Sequence, residues 1–169
     1  MKKLPVCAVC ASTGFLCINC SDKMESGEIS EFEVEISKEL VRMEEEGHTE
    51  LKDASFVKVI DFGKIVLFFV GQGDRPKFLK GVVQAIQEIF DIDRIQVIEF
   101  STNINRLVEN LVYPAKLLGV NQIYLPMGTV EYKARVTKGD EENLPLHIED
   151  LEEIIEELTG KTTKIVFDG

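Results

Sequence analysis

Apolar positions along this chain recur with two different periods. Phe32, Ile36, Leu40 and Met43 fall on one face of a 3.6-residue repeat, which predicts an amphipathic helix. Ser30 followed by Glu33 makes a capping box, Ile29 and Val34 are placed for a hydrophobic staple, and Gly47 stands where a C-terminal cap would end the helix. Phe32, Val34 and Ile36 also alternate with glutamates as a strand would, but the caps at both ends favour a helix whose glutamates form a solvated face. Two apolar runs follow, over 57–60 and 65–70, flanking Asp61-Phe62-Gly63-Lys64, a hairpin signal. The second run has no polar residue, as expected of a strand covered on both faces. A helix over 77–90, with Val83, Ile86, Ile89 and Phe90 as its apolar positions, and a strand over 94–100 complete the set.

The stretch over 101–120 is a linker with helical character. Asn103 is placed as an N-cap, Ile104, Leu107, Val108 and Leu111 fall at i, i+3, i+4 and i+7, and Pro114 limits how far the helix runs. The earlier order then recurs: a hairpin over 121–136, a helix over 148–158 with Ile148, Leu151, Ile155 and Leu158 inward, and a strand over 163–167. A repeat of this length is a fold-level signal. With room for a short helical turn before each long helix, the order is α-β-β-α-α-β twice. This predicts an α+β protein, an α/β sandwich made of two tandem units. The expected divisions are 1–25, 26–101 and 102–169.

The first of these divisions holds all four cysteines. Cys7-Ala8-Val9-Cys10 and Cys17-Ile18-Asn19-Cys20 are two C-x-x-C pairs. Each offers two thiolates from one tight turn, and two facing turns make a closed tetrahedral site suited to structural zinc. A four-thiolate iron centre uses the same ligand set, and disulfide or redox roles are the minor alternatives. On this reading the metal segment is an appendage, and removing the metal should disorder residues 1–25 alone.

With 169 residues, 44% hydrophobic and 29% charged, the chain has the composition of a soluble globular protein. No apolar run approaches the roughly 18 residues of a membrane span, and no secretory h-region follows Met1-Lys2-Lys3, so the expected compartment is the cytoplasm. The net charge is −11 and uneven: residues 21–50 hold eleven acids against three bases, and residues 140–169 hold ten against two. Whole-molecule electrostatics therefore oppose indiscriminate nucleic-acid binding. Arg75, Lys77 and Lys80 form the densest basic cluster without an intervening acid; beside a helix start that favours anions they suit a phosphate contact, and the alternative is that they are surface residues balancing an acidic protein. Gly71 and Gly73 read as turn residues, since neither a dinucleotide fingerprint nor a phosphate-loop lysine accompanies them. His48 and His147 lack metal spacing, and no nucleophile and base pair emerges, so no enzymatic activity is expected.

The duplicated order, together with Val97-Ile98-Glu99-Phe100-Ser101, the Leu111 to Val120 linker containing Pro114-Ala115, and the ending Leu158-Thr159-Gly160-Lys161, resembles the archaeal NusA-like proteins with tandem type II KH domains. The resemblance covers about residues 30–168; the cysteine pairs extend it to the N-terminus. It implies a non-enzymatic RNA-binding protein connected with transcription elongation or termination, which clamps single-stranded RNA through a G-x-x-G loop between two helices. That loop falls near Lys77-Phe78-Leu79-Lys80, with Gly81 the nearest glycine, and in the second unit near Pro145-Leu146-His147-Ile148, with no glycine. The implied RNA contacts are Arg75, Lys77, Lys80 and Gly81. The alternative is a KH-fold module that has lost RNA binding and meets transcription or RNA-processing proteins through its acidic surface. The sequence leaves the oligomeric state open.

Overall fold

A computed structural model describes residues 1–63 and 65–168; Lys64, expected in the first hairpin turn, lies outside them. The chain divides into two compact units, Met1–Phe100 and Ser101–Gly169, and the architecture is α+β with one three-stranded mixed sheet in each.

In the first unit, helix α3 (Glu31–Glu45) begins as its sequence predicts. Ser30 accepts a hydrogen bond from the Glu33 amide, and the Glu33 carboxylate accepts one from the Ser30 amide. Strands β1 (Phe56–Asp61) and β2 (Ile65–Val70) form the hairpin. They pair antiparallel with an irregularity between Phe56 and Lys58, and β2 pairs in parallel with β3 (Arg94–Glu99). A parallel pair needs a crossover. Here it consists of α4 (Arg75–Phe78) and α5 (Val82–Phe90), so the helix expected over 77–90 is two helices. Gly81, in the left-handed region at φ 92°, interrupts the run, and glycine takes that conformation at little cost.

All six residues of β2 are buried. On one side Val66, Phe68 and Val70 join Ile36, Leu40, Met43, Phe78, Val82 and Ile86 in a single core, where Phe68 stacks on Phe56 at 4.6 Å and meets Phe78 at 5.5 Å. Helix α3 serves a second apolar surface as well. Val34 packs with Val6, Cys10, Ala11, Cys20 and Ile29, and Val41 lies against the same cluster. The strand-like alternation of Phe32, Val34 and Ile36 thus reflects a helix buried on two faces.

The second unit repeats the plan with α6 (Ile104–Val112), β4 (Leu117–Tyr124), β5 (Val130–Thr137), a 3-10 turn (Lys138–Asn143), α7 (Ile148–Thr159) and β6 (Thr163–Asp168). Again the first two strands are antiparallel and the second pair parallel. Asn103 caps α6 by accepting from the Arg106 amide. Residues 117–120, expected within the linker, instead open β4. Pro114 cannot extend the helix, and Leu117 and Gly119 find partners in Val136 and Arg135.

Two acids are buried, and one of them, Glu33, belongs to the glutamates expected to form a solvated face. Glu33 is 4% exposed: beyond the cap, its second oxygen accepts from the Val59 amide at 3.3 Å, tying α3 to β1. In the second unit Asn105 of α6 accepts from the Val120 amide of β4 at 3.1 Å, so each unit hooks its first strand to the preceding helix. Asp74 is likewise buried and accepts from the Ser55 amide at 2.9 Å. Its carboxylate lies where a Cβ on Gly71 would stand, and Ser55 Cβ would be 3.1 Å from that atom, which is why this turn requires a glycine.

Glu33→Ala leaves the Ser30 and Val59 amides without their acceptor, and buried unpaired donors cost about 1–3 kcal/mol. Thermal unfolding followed by circular dichroism should register a loss in that range, with a smaller one for Glu33→Gln; an unchanged midpoint for the alanine variant would contradict the bridging role.

Candidate metal centre and interhelical loop

The cysteine pairs each straddle the start of a short helix. Cys7 is the N-cap of α1 (Ala8–Thr13) and Cys17 that of α2 (Ile18–Glu25), which places Cys10 and Cys20 at the third helical position of each. The two turns face each other with reciprocal hydrogen bonds. The Cys7 amide donates to Cys20 Sγ at 3.4 Å, and the Cys17 amide donates to Cys10 Sγ at 3.1 Å. Gly14, at φ 81°, ends α1 and lets the chain turn back toward Cys17.

All four sulfur atoms lie within 4.8 Å of one another, and all four are free thiols. A tetrahedron with metal–sulfur bonds of about 2.3 Å has sulfur–sulfur edges of about 3.8 Å, so the donor set fits a four-thiolate ion. Cys7 and Cys17 are exposed while Cys10 and Cys20 are buried, and the acidities divide accordingly. Hydrogen bonds from the Cys10 amide and thiol draw Cys7 down to about 7. Cys17 is also lowered, first by the Cys20 amide. The Cys17 amide pulls Cys10 down too, but the Cys7 thiol and burial outweigh it and push Cys10 up to about 12. Cys20 ends raised for related reasons: the Cys7 amide lowers it, and burial and Cys17 more than offset that. Four adjacent thiolates repel one another; a bound dication is what permits all four to ionise together. The four cysteines are therefore consistent with a structural metal site that leaves no open coordination position.

The segment bearing them is not the appendage expected. The backbone of Lys2 and Lys3 runs beside β1: the Lys2 amide donates to the Ala54 carbonyl at 2.8 Å, and the Phe56 amide donates to the Lys3 carbonyl at 3.0 Å. Cys10 and Cys20 share their cluster with Ile29 and Val34, so the segment belongs to the first compact unit. Spacing marks candidate ligands, but it carries no information about which helix face covers them.

The basic cluster is brought only partly together. Arg75 Nε donates to the Val97 carbonyl at 3.1 Å. Lys77 pairs with Asp74 at 2.9 Å and donates to the Asp53 carbonyl at 3.0 Å. Both therefore brace the crossover. Lys80 is exposed in the turn 79–81, between α4 and α5. The sequence reading passed over its neighbours. The Glu50 carboxyl is held below its ordinary range, first by a backbone hydrogen bond and further by His48 and Lys80. His48 Cε1 lies 3.8 Å from where a Cβ on Gly81 would stand. No local motif joins residues 48–50 to 80–81; the 3-10 turn Thr49–Asp53 and α4, which pack together, bring them into contact. Phe78, inside the stretch expected to form the loop, is buried in the core with no exposure. In the second unit the segment over 144–147 contains no glycine, and Glu149 and Asp150 occupy the first turn of α7.

No family model matches this chain, and no curated protein does. Among solved structures it is similar to the crystal structure of APE1850, with 18% identity, a TM-score of 0.54, and coverage of 76% of this chain and 96% of that one. At this identity the likeness is one of fold. Among the described residues no helix is long and apolar enough to cross a membrane.

The chain should purify with one metal ion per molecule, and Cys10→Ser should lose it, as read by elemental analysis. Because the cysteine cluster includes Val34, stripping the ion should raise amide hydrogen exchange along α3 as well as over residues 1–25. Exchange confined to 1–25 would restore the view of an independent appendage.

Proposed function

We propose that this chain is a non-enzymatic, cytoplasmic RNA-binding protein of the NusA-like tandem KH type. Its cysteine site carries structural zinc, and its first unit meets RNA at the 79–81 turn. The observation that carries this reading is the repeated order of helix, two strands, helical crossover and strand, the crossover opening with a short α-helix in the first copy and a 3-10 turn in the second, with a sheet that is antiparallel and then parallel in each copy, and with a glycine-ended turn between two helices in the first copy. Such a turn offers backbone to a sugar-phosphate chain, and glycine allows the close approach. Lys80 is exposed within the turn itself, so it supplies the phosphate contact; Arg75, whose Nε donates to the Val97 carbonyl, and Lys77, paired with Asp74, hold the turn in place. The second unit, without a glycine and with acids following, does not take part in binding. Zinc is favoured over iron because a closed four-thiolate tetrahedron built from two C-x-x-C turns is the form structural zinc sites take.

A second reading is favoured by one specific observation. With Lys77 paired to Asp74 and a net charge of −11, the surface suits a basic protein partner in the transcription or RNA-processing machinery.

Fluorescence anisotropy with a pool of short single-stranded RNAs separates the two. Binding should appear at low salt and weaken as salt rises. Lys80→Glu should lower affinity by about tenfold or more, in line with loss of about 1.4 kcal/mol. Lys77→Glu should instead lower the melting temperature, since it removes the partner of a buried Asp74. Absence of binding at low salt would overturn the RNA reading and leave the protein-partner one.

A further inference from the structure

Strand β4 differs from the other sheet edges. Residues 117–130 contain no charged side chain, whereas the edges β1 and β6 carry Lys58, Asp61, Lys164 and Asp168. Exposed edges are ordinarily protected by charge, proline or a bulge. The first half of β4 has such protection: its pairing is irregular between Leu117 and Gly119, and Asn105 takes up the Val120 amide. The second half, 121–124, has none.

The register shows which backbone groups stay open. The Val120 amide donates to α6 and not to β5. On the far side the Tyr132 amide, opposite Gln122, donates to the Thr162 carbonyl. In an antiparallel ladder outward and inward groups alternate, so the N–H and C=O of Gln122 and Tyr124 point away from β5. Around them the apolar surface is bare: Tyr124 is 75% exposed and Met127 88%, and Leu125 is exposed beside them.

We infer that the outer half of β4 is a self-association edge, pairing antiparallel with the same strand of a second copy about a two-fold axis near Ile123. Gln122 of each chain would face Tyr124 of the other and exchange backbone hydrogen bonds, while Tyr124 and Met127 cover the seam. Charge selects this occupant. Two chains of net charge −11 repel almost everywhere, and an uncharged strip is where they can approach. A two-fold pairing also needs a self-complementary surface, which a neutral strand supplies. A basic protein partner would gain nothing from a strip without acids. The contact is small, so the dimer is weak. This inference is independent of the RNA reading.

Sedimentation velocity on the metal-loaded full chain under reducing conditions, from micromolar to hundreds of micromolar, tests it. A monomer–dimer equilibrium should appear and tighten as salt rises, because salt screens the repulsion between acidic copies. Gln122→Pro, which removes an outward N–H without adding charge, and Tyr124→Glu, which sets like charges across the two-fold axis, should each raise the dissociation constant by about tenfold or more. Circular dichroism checks that both variants stay folded. A monomer at every concentration and salt would overturn the proposal, and so would a dimer that two folded variants leave unchanged or one that salt weakens.

Discussion

The first unit depends on burying β2. Six consecutive apolar residues, Ile65 to Val70, leave no side of that strand able to face water, so it must lie centrally with a neighbour on each edge. One neighbour, β1, arrives through a short turn. The other, β3, runs parallel to β2, and a parallel neighbour cannot be reached without a crossover. The α4–turn–α5 segment is that crossover, so the exposed turn at Lys80 and Gly81 follows from the demand for a buried central strand. Asp74 joins the crossover to the start of β1 by accepting from the Ser55 amide, and Lys77 neutralises it. The residues that make this region look basic in sequence are largely consumed in holding it.

The same economy appears around the cysteines. Two short helices of six and eight residues cannot be stable alone, and the sulfur tetrad gives them a shared centre. Burying Cys10 and Cys20 against Val34 and Ile29 lets one helix, α3, serve both the sheet and the cysteine segment. Its capping glutamate reaches further still, to the Val59 amide. Cysteine segment, helix and sheet therefore share interactions and are expected to gain or lose order together.

The two units share topology and differ in surface. In the first, all of β2 is buried; in the second, the middle strand β5 buries only Ala134 and Val136, and its first strand is half exposed along its length. The second unit's core is correspondingly made by Leu107, Val108, Leu111, Leu151, Ile154 and Ile155 of its helices against Ile165. A duplicated fold has thus been filled with different side chains, leaving a cation-bearing turn on one copy and an uncharged edge strand on the other.

The repeated element order, the capped start of α3, the Asn103 cap and the four-cysteine cluster were legible in the chain, because each rests on residues close in sequence whose spacing matches a helical turn, a strand pleat or a donor set that could hold a metal. The end of the linker helix was partly legible: Pro114 marks it, but the pairing that makes Leu117 and Gly119 strand residues comes from β5. What the tertiary structure alone decided are the interactions between distant segments. Glu33 looked like a solvated glutamate until Val59 was brought to it, and the cysteine segment looked separate until Val34 turned out to face it. Arg75, Lys77 and Lys80 looked equivalent until Val97, Asp53 and Asp74 claimed the first two. Local spacing determines which conformation a segment adopts and which donors it can offer; which polar group is buried, which cation is exposed at the turn and which edge stays open depend on what the fold places opposite.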